Sequence, residues 1–434
     1  MTSDPLRARH PYDLDPSHST LLYNGPAELI DARGESGSAD VEVIFKWLPS
    51  PRIRWRITGS EESLTTAALD GEDPRLLRLT GTWDDLGSPA VENESRELPL
   101  DREIVVGPED NLDQLLVHVL NLYVPLEQSY SANKRLVWEF GPWHLELDVA
   151  GNARELRRYL RSTRLYTHTH LLSATRLDGA TFLLEEADEM LNRLFVLLAF
   201  LNGSRVGLAL PVGLRMGKPV TCVFEASKCS RGGFAFTWTD STAFADQSSE
   251  LIGKAWRFTA DDIEFGWPVL HRAIEMAIEA NHLSPVDVTH PTCQAALELL
   301  AVTVLVHREG WLDRHAFNRL EAAARIRLLC GWAGIPTAIP ARLNNAIVYG
   351  RHHSLDPLDG PRLITHVRRE IVHPPKKAEW PDNQTQTECW RLAQTYIELV
   401  LLRIFGYEGV YATRYHLTGR WAGTVERVPW ADAS

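Results

Sequence analysis

The sequence predicts an α+β protein, with a β-rich N-terminal domain followed by an all-α C-terminal domain. Three observations carry this reading. From Leu21 to Trp238 the apolar residues fall in short runs, rich in β-branched and aromatic side chains and separated by Gly, Pro and Asp. After Asp240 they recur at three- and four-residue spacing over longer segments, the period of helices. The chain has 434 residues, 44% of them hydrophobic and 24% charged, which is enough for two or more domains with cores of their own.

The first 18 residues are polar, carry three prolines and read as a flexible arm. Val41–Trp47 and Arg52–Ile57 read as strands joined across Pro49-Ser50-Pro51. Further strands are expected at Leu76–Trp83, Glu103–Val106, Leu115–Val124, Leu136–Phe140, His144–Val149 and Arg164–Thr175. Leu177-Asp178-Gly179 makes a turn. A helix follows at Leu184–Leu201, with Glu185, Glu186, Asp188 and Glu189 at its positive end and Asn202-Gly203-Ser204 as its stop. Strands at Val206–Leu210, Val220–Ala226 and Gly233–Trp238 complete a mostly antiparallel domain over residues 19–248 with one buried helix.

Residues 249–412 read as a train of helices at 259–281, 291–308, 312–333, 340–352, 360–373 and 384–405. The 291–308 segment carries Leu297, Leu300, Ala301, Val304 and Leu305 on one stripe, as a buried helix does. Residues 413–434 form a tail with Trp421 and Trp430.

Charge excludes some functions. The 45 Lys and Arg against 57 Asp and Glu give a net −12, so the chain is not a globally basic nucleic-acid binder. Residues 61–113 carry a net −11, whereas 151–176 carry +5 and 362–377 carry +4. Each basic stretch reads either as a solvated face or as a local phosphate-attracting patch. The five cysteines are scattered, with no CxxC, which argues against a disulfide framework or a Cys-based zinc site. The N-terminus lacks the apolar core of a signal peptide, and the apolar runs Leu194–Leu201 and Ala295–Val306 are short of the ~20 residues of a membrane span. A cytoplasmic protein with no membrane association is expected. No GxGxxG, GxxxxGK[ST] or GxSxG occurs. Thr167-His168-Thr169-His170 and His352-His353 read as polar positions rather than metal ligands, since no third ligand is near in sequence. Trp138, Trp143 and Trp238 are the tryptophans best placed to stack on bases if any do.

The segment with most chemistry is His366-Val367-Arg368-Arg369-Glu370-Ile371-Val372-His373-Pro374. Arg-x4-His is weak by itself. The context adds to it: the pair closes a helix, Pro374 biases His373 out of α geometry, and the helix C-terminus favours a protonated imidazole there. Lys376 and Lys377 follow, then a long amphipathic helix running to Phe405-Gly406-Tyr407-Glu408-Gly409-Val410-Tyr411. This arrangement resembles the HEPN superfamily of helical bundles, whose mark is an Arg, a polar residue, three variable residues, His and commonly Pro. Here that reads Arg368, Arg369, Glu370-Ile371-Val372, His373 and Pro374. The likeness covers residues 249–412 and is closest to the Apea-like bacterial group.

The resemblance implies metal-independent RNA cleavage without a cofactor, by Arg368 and His373 at a two-fold dimer interface. It also implies a role in bacterial antiviral defence or toxin-like growth arrest. His can move protons near neutral pH, and Arg can stabilise charge building on phosphorus. Arg362, Lys376 and Lys377 would hold RNA phosphates, and a protein or phage-derived trigger would bind the β-rich domain. The alternative is a non-catalytic RNA- or nucleotide-binding or dimerisation module. Arg369 departs from the family's usual Asn. On a regular helix Arg368 and His373 lie about 140° apart, while His366, Arg369 and His373 share a face. Arg369 and His366 therefore stand as alternates to Arg368.

Overall fold

A computed structural model describes residues 10–30, 36–58, 75–79, 98–100, 104–123, 135–233, 235–281, 286–373, 380–415 and 425–431. The α+β class holds. Two compact units are present: Met1–Phe195 with Arg205–Phe234, and Val196–Ser204 with Ala235–Ser434. The chain passes between them after Phe195, Ser204 and Phe234.

The first unit contains two antiparallel sheets. Strands β1 (Thr20–Ile30), β2 (Ser36–Lys46), β3 (Arg52–Ile57), β4 (Arg75–Leu79) and β5 (Leu98–Pro99) form a five-stranded sheet in the order β4-β1-β2-β3-β5. β6 (Ile104–Val106), β7 (Gln114–Leu120), β8 (Arg135–Phe140), β9 (Trp143–Val149), β10 (His168–Arg176), β11 (Gly207–Arg215) and β12 (Lys218–Phe224) form a seven-stranded one, β6-β12-β11-β7-β10-β9-β8. The central strands β7, β10 and β11 are buried along nearly their whole length, whereas edge strand β8 alternates buried and exposed positions. Val41, Val43, Phe45 and Trp55 of the first sheet and Leu116, Leu171, Val212 and Phe224 of the second share one apolar cluster.

Several expectations need correction. From His10 onward the arm is packed. Tyr12 and Leu14 are buried, Tyr12 Oη donates to Leu22 O (3.0 Å), and His10 Nε2 lies 3.1 Å from Leu210 O. A second helix, α1 (Ala153–Thr163), falls inside the basic 151–176 stretch. Asn152 caps it by accepting from the N–H groups of Arg154 and Glu155, and it buries Ala153 and Leu160 while most of its arginines face solvent. Among the described residues of the expected Gly233–Trp238 strand, Gly233 and Ala235–Trp238 are not in a strand. Trp138, Trp143 and Trp238 are buried, so they serve the core and offer no face for base stacking. Helix α2 (Leu184–Asn202) runs where expected, and Gly203 ends it at φ 71°, where a Cβ would collide with Phe236 O.

The second unit is a helical bundle. It comprises α3 (Phe244–Ala255), α4 (Trp267–Glu279), α5 (Val286–Val302) continued by a π-helical turn (Thr303–Arg308), α6 (Arg314–Arg319), α7 (Ala322–Ala333), α8 (Asn344–His352), α9 (Gly360–Val372) and α10 (Asn383–Phe405). The expected 259–281 helix begins only at Trp267, and 312–333 divides into α6 and α7 at Leu320. Helix α10 is buried almost all round and packs against α3, α4, α5, α7, α8 and α9. Within its wall Arg414 forms a buried, two-pronged pair with Glu398 (2.6 and 2.8 Å). The tail folds back: β13 (Val410–Tyr411) pairs with β14 (Glu426–Arg427), and Trp430 Nε1 donates to Tyr407 O (2.7 Å). Trp421 lies outside the described residues.

Val288–Arg308 is 21 residues long and apolar enough to cross a membrane, longer than the run read from sequence. Its stripe Leu297, Leu300, Ala301, Val304 and Leu305 is wholly buried in the bundle, and its Glu298 pairs with Arg325 (2.8 Å). That is the arrangement of a core helix.

Candidate functional site

The His366–His373 segment lies on α9, whose position is fixed at its start. Asp359 caps the helix by accepting from Arg362 N–H (2.9 Å), and Arg327 holds the same carboxylate at 2.6 and 3.2 Å. Gly360 allows close approach to Tyr396, since a Cβ there would meet the phenol oxygen. Leu363, Ile364, Val367 and Ile371 form the buried face, against α5, α7 and α10. Arg369 is exposed on the outer side of the helix, and His366 lies between the two faces with its side chain 10% exposed.

Helix α8 supplies the neighbouring wall. Its cap residue, Leu343, offers no side-chain acceptor. Glu388 of α10 takes that role from a distance, accepting from Ala346 N–H (2.9 Å) and Asn345 Nδ2 (2.6 Å). This places Tyr349 and His353 beside α9. The His366 ring lies 5.9 Å from Tyr349 and 5.2 Å from His353, and the Tyr349 and His353 rings are 4.2 Å apart.

Arg369 is anchored from two sides. Glu370 Oε1 accepts from its Nε (3.2 Å) and Nη2 (2.9 Å), and the same Nη2 donates to His366 Nδ1 at 3.1 Å. Its side chain nevertheless remains 60% exposed, while Glu370 is buried. A guanidinium that donates to Nδ1 places the imidazole proton on Nε2, which is buried and 4.0 Å from Glu370 Oε1. Burial, and then the Arg369 charge, hold His366 below the ordinary imidazole range, with Glu370 opposing. Burial and the Glu370 charge push the Tyr349 phenol up to about 12.

Helix α9 is regular to Val372, and only His373 leaves helical geometry (φ −130°, ψ 66°), with its N–H on Arg369 O (2.8 Å). The regular-helix alternative therefore describes the local backbone. His366 and Arg369 are in contact, and exposed His373 follows one turn after Arg369. Arg368 lies about 100° round the helix from Arg369; among the described residues its buried Nε has no hydrogen-bond partner and it shares no hydrogen bond with His373. Arg362 Nη1 pairs with Glu321 (3.1 Å). Lys376 and Lys377 lie outside the described residues. Tyr349 and His353 carry no sequence signal as partners of His366; the His352-His353 pair is the one mark there.

The other histidine stretch is in the first unit. His168 Nε2 lies 3.0 Å from His118 Nδ1, and the His118 ring is 3.8 Å from that of His10. Among the described residues no group of three or more His, Cys, Asp or Glu side chains converges as a metal site.

These features define an α+β protein whose helical unit carries a histidine–arginine cluster on two adjacent helices. Residues 264–427, which include that cluster, match the YopA C-terminal domain, and residues 107–233 match the YopA central domain. Over 341 residues the chain is 24% identical to the SPbeta prophage-derived uncharacterized protein YopA of Bacillus subtilis (strain 168), covering 76% of this chain and 75% of that one. No solved structure matches the chain.

Proposed function

We propose that this protein is a cytoplasmic, metal-independent ribonuclease whose reacting groups lie on α8 and α9 of the helical unit. One observation carries the reading. Arg369 is gripped by Glu370 and His366 yet exposes most of its guanidinium one turn before an exposed imidazole, His373. The likeness of this segment to HEPN bundles supports the same chemistry.

In this reading the RNA 2′-oxygen attacks phosphorus and the bond to the 5′-oxygen breaks. The products are a 2′,3′-cyclic phosphate end and a 5′-hydroxyl end. One imidazole takes the proton of the 2′-hydroxyl and the other gives a proton to the leaving 5′-oxygen; His373 fills one of these roles, and His353, whose ring nitrogens carry no hydrogen bond among the described residues, fills the other. Arg369 meets the extra charge on the phosphorane. Glu370 and His366 are positioning residues that fix the guanidinium before substrate arrives.

Exposed apolar side chains flank these groups, Val348 on α8 and Val372 at the end of α9. They suit a two-fold contact that brings two such clusters together. A relative whose name places it in a prophage fits a role in conflict between phage and host, with the β-rich unit as receiver of a phage-derived trigger.

The test is incubation of the full chain with total RNA, with and without EDTA. EDTA-resistant cleavage leaving 5′-hydroxyl ends is expected. Retention of RNA without cleavage would replace this reading with a non-catalytic binding module, and neither cleavage nor retention would end both.

A further inference from the structure

On the helical unit, away from α8 and α9, a cavity of about 360 Å³ is lined by Arg257, Phe258, Thr259, Phe265, Gly266 and Arg308, with Asp262 and Ile404 completing the wall. Its size lies within the range of small-molecule sites. Two of its residues are cations, and a third, Arg403, is near enough for its charge to act on Arg308. Arg257 Nη2 donates to the terminal α10 carbonyls of Ile404 (3.1 Å) and Phe405 (3.0 Å), and its guanidinium lies 5.2 Å from the Phe258 ring centre. Arg308 ends the π-helical turn, a widened segment of the kind that often marks function. It sits over Phe265 (4.9 Å) and Trp332 (5.2 Å), and Arg403 sits over Trp430 (5.5 Å).

The acids nearby do not balance these three charges. Glu309 Oε1 pairs with Arg308 Nε (3.1 Å) but also accepts a hydrogen bond from Trp332 Nε1 (2.9 Å). Asp262 Oδ1 is taken by the N–H groups of Glu264 (3.0 Å) and Phe265 (2.8 Å), and Glu264 pairs with His307 (3.2 Å). Arg257 and Arg403 form no ion pair among the described residues. Burial is the largest influence and lowers the proton affinity of Arg308; Glu309 raises it, and Arg257 and Arg403 each lower it by less than Glu309 raises it. Arg257 and Arg308 are exposed at the cavity, so their guanidiniums are open to an anion.

We propose that this cavity binds a phosphate-bearing small molecule of nucleotide size, with its phosphate on the Arg257 and Arg308 guanidiniums. Planar, forked donors suit phosphate oxygens. Inorganic phosphate alone would leave much of the roughly 360 Å³ unfilled, and an attached organic group takes up the remainder. The site shares no residue with the α8–α9 cluster, so it stands whether or not that cluster cleaves RNA.

The test is calorimetric titration of the full chain with AMP, inorganic phosphate and adenosine. AMP is expected to bind more tightly than phosphate, adenosine is expected not to bind at millimolar concentration, and added salt is expected to weaken AMP. Arg308→Gln should weaken AMP at least ~10-fold, equivalent to about 1.4 kcal/mol, while Arg272→Gln, on an exposed part of α4, should leave it unchanged. If Arg308→Gln does not fold, Arg403→Gln decides, with a weakening of roughly threefold expected from removal of one nearby charge. Absence of binding by AMP and phosphate would overturn the proposal. So would adenosine binding as tightly as AMP, or parental affinity in the deciding variant.

Discussion

Arg369 donates to Nδ1 of His366 at 3.1 Å, so that one guanidinium both sets the tautomer of an imidazole and lowers its proton affinity. Two variants should move that histidine in opposite directions. Arg369→Ala removes a cation, so His366 should titrate at higher pH than in the parent. Glu370→Gln removes the nearby anion, so it should titrate lower. The His366 ring signals in an NMR pH titration would show both. A shift in the same direction for the two variants would mean that repacking, not charge, governs the ring.

Three of the buried histidines should weaken the fold toward acid. Burial lowers His10 and His290 to about 4 and His170 to about 3, against an ordinary 6.5. Below pH 6.5 the unfolded chain takes up protons that the folded chain refuses. Their contribution is therefore fully present above pH 6.5 and is lost as pH falls toward 4. Each such ring costs about 1.4 kcal/mol per pH unit across that window. Urea unfolding between pH 7 and pH 4 should show a steep loss of stability. His290→Gln should flatten it for the helical unit, and an unchanged pH dependence would show that His290 is not held neutral.

The pair Arg414–Glu398 should behave as a buried ion pair. Both side chains are almost wholly enclosed, and Arg414 also donates to Asn281 Oδ1 (2.8 Å) and Phe236 O (3.1 Å). Glu398→Gln or Arg414→Met alone leaves a buried charge without its counter-charge and should cost ~3–5 kcal/mol. The double change Glu398→Met with Arg414→Met should recover part of that loss. Thermal unfolding of the three variants measures the difference. Equal destabilisation by the single and double changes would show that the hydrogen bonds to Asn281 and Phe236 matter more than the charge.

Local signals carried much of the fold. The run through β2 and β3 and the Asn202-Gly203 stop of α2 are visible because each depends on neighbours in sequence. Helix α1 leaves little trace in the sequence because its apolar stripe is thin, with Ala153 and Leu160 as its buried residues, and arginines fill much of the rest. The packing of Tyr12 and Leu14 was hidden because two apolar residues in a polar stretch have no period. At the site, the shared face of His366, Arg369 and His373 follows from helical geometry alone. The approach of Tyr349 and His353 does not, because it depends on Glu388, a residue of a third helix, seating the start of α8. The Arg257, Arg308 and Arg403 cluster joins three distant segments and leaves no motif in the sequence.

The contrast between Arg368 and Arg369 separates the two registers of the proposed site. Arg369 is held by Glu370 and His366 on the face that leads to His373, and Arg368 is not. Arg369→Ala should therefore lower the single-turnover cleavage rate by roughly 100- to 1000-fold, the loss typical of one charge-stabilising group. His373→Ala should abolish cleavage. Arg368→Ala should leave the rate at saturating enzyme close to parental. Single-turnover conditions matter because they separate chemistry from RNA binding. Glu370→Gln should fall between the parent and Arg369→Ala, because it loosens the guanidinium without removing it, and Arg369→Lys should rescue little, since an ammonium offers no fork for Glu370 and His366 to hold. If Arg368→Ala stops cleavage while Arg369→Ala does not, the working register is that of the HEPN motif and the His373 turn must rearrange on binding RNA. If His373→Ala, Arg369→Ala and Arg368→Ala all cleave like the parent, the α8–α9 cluster is not where RNA is cut.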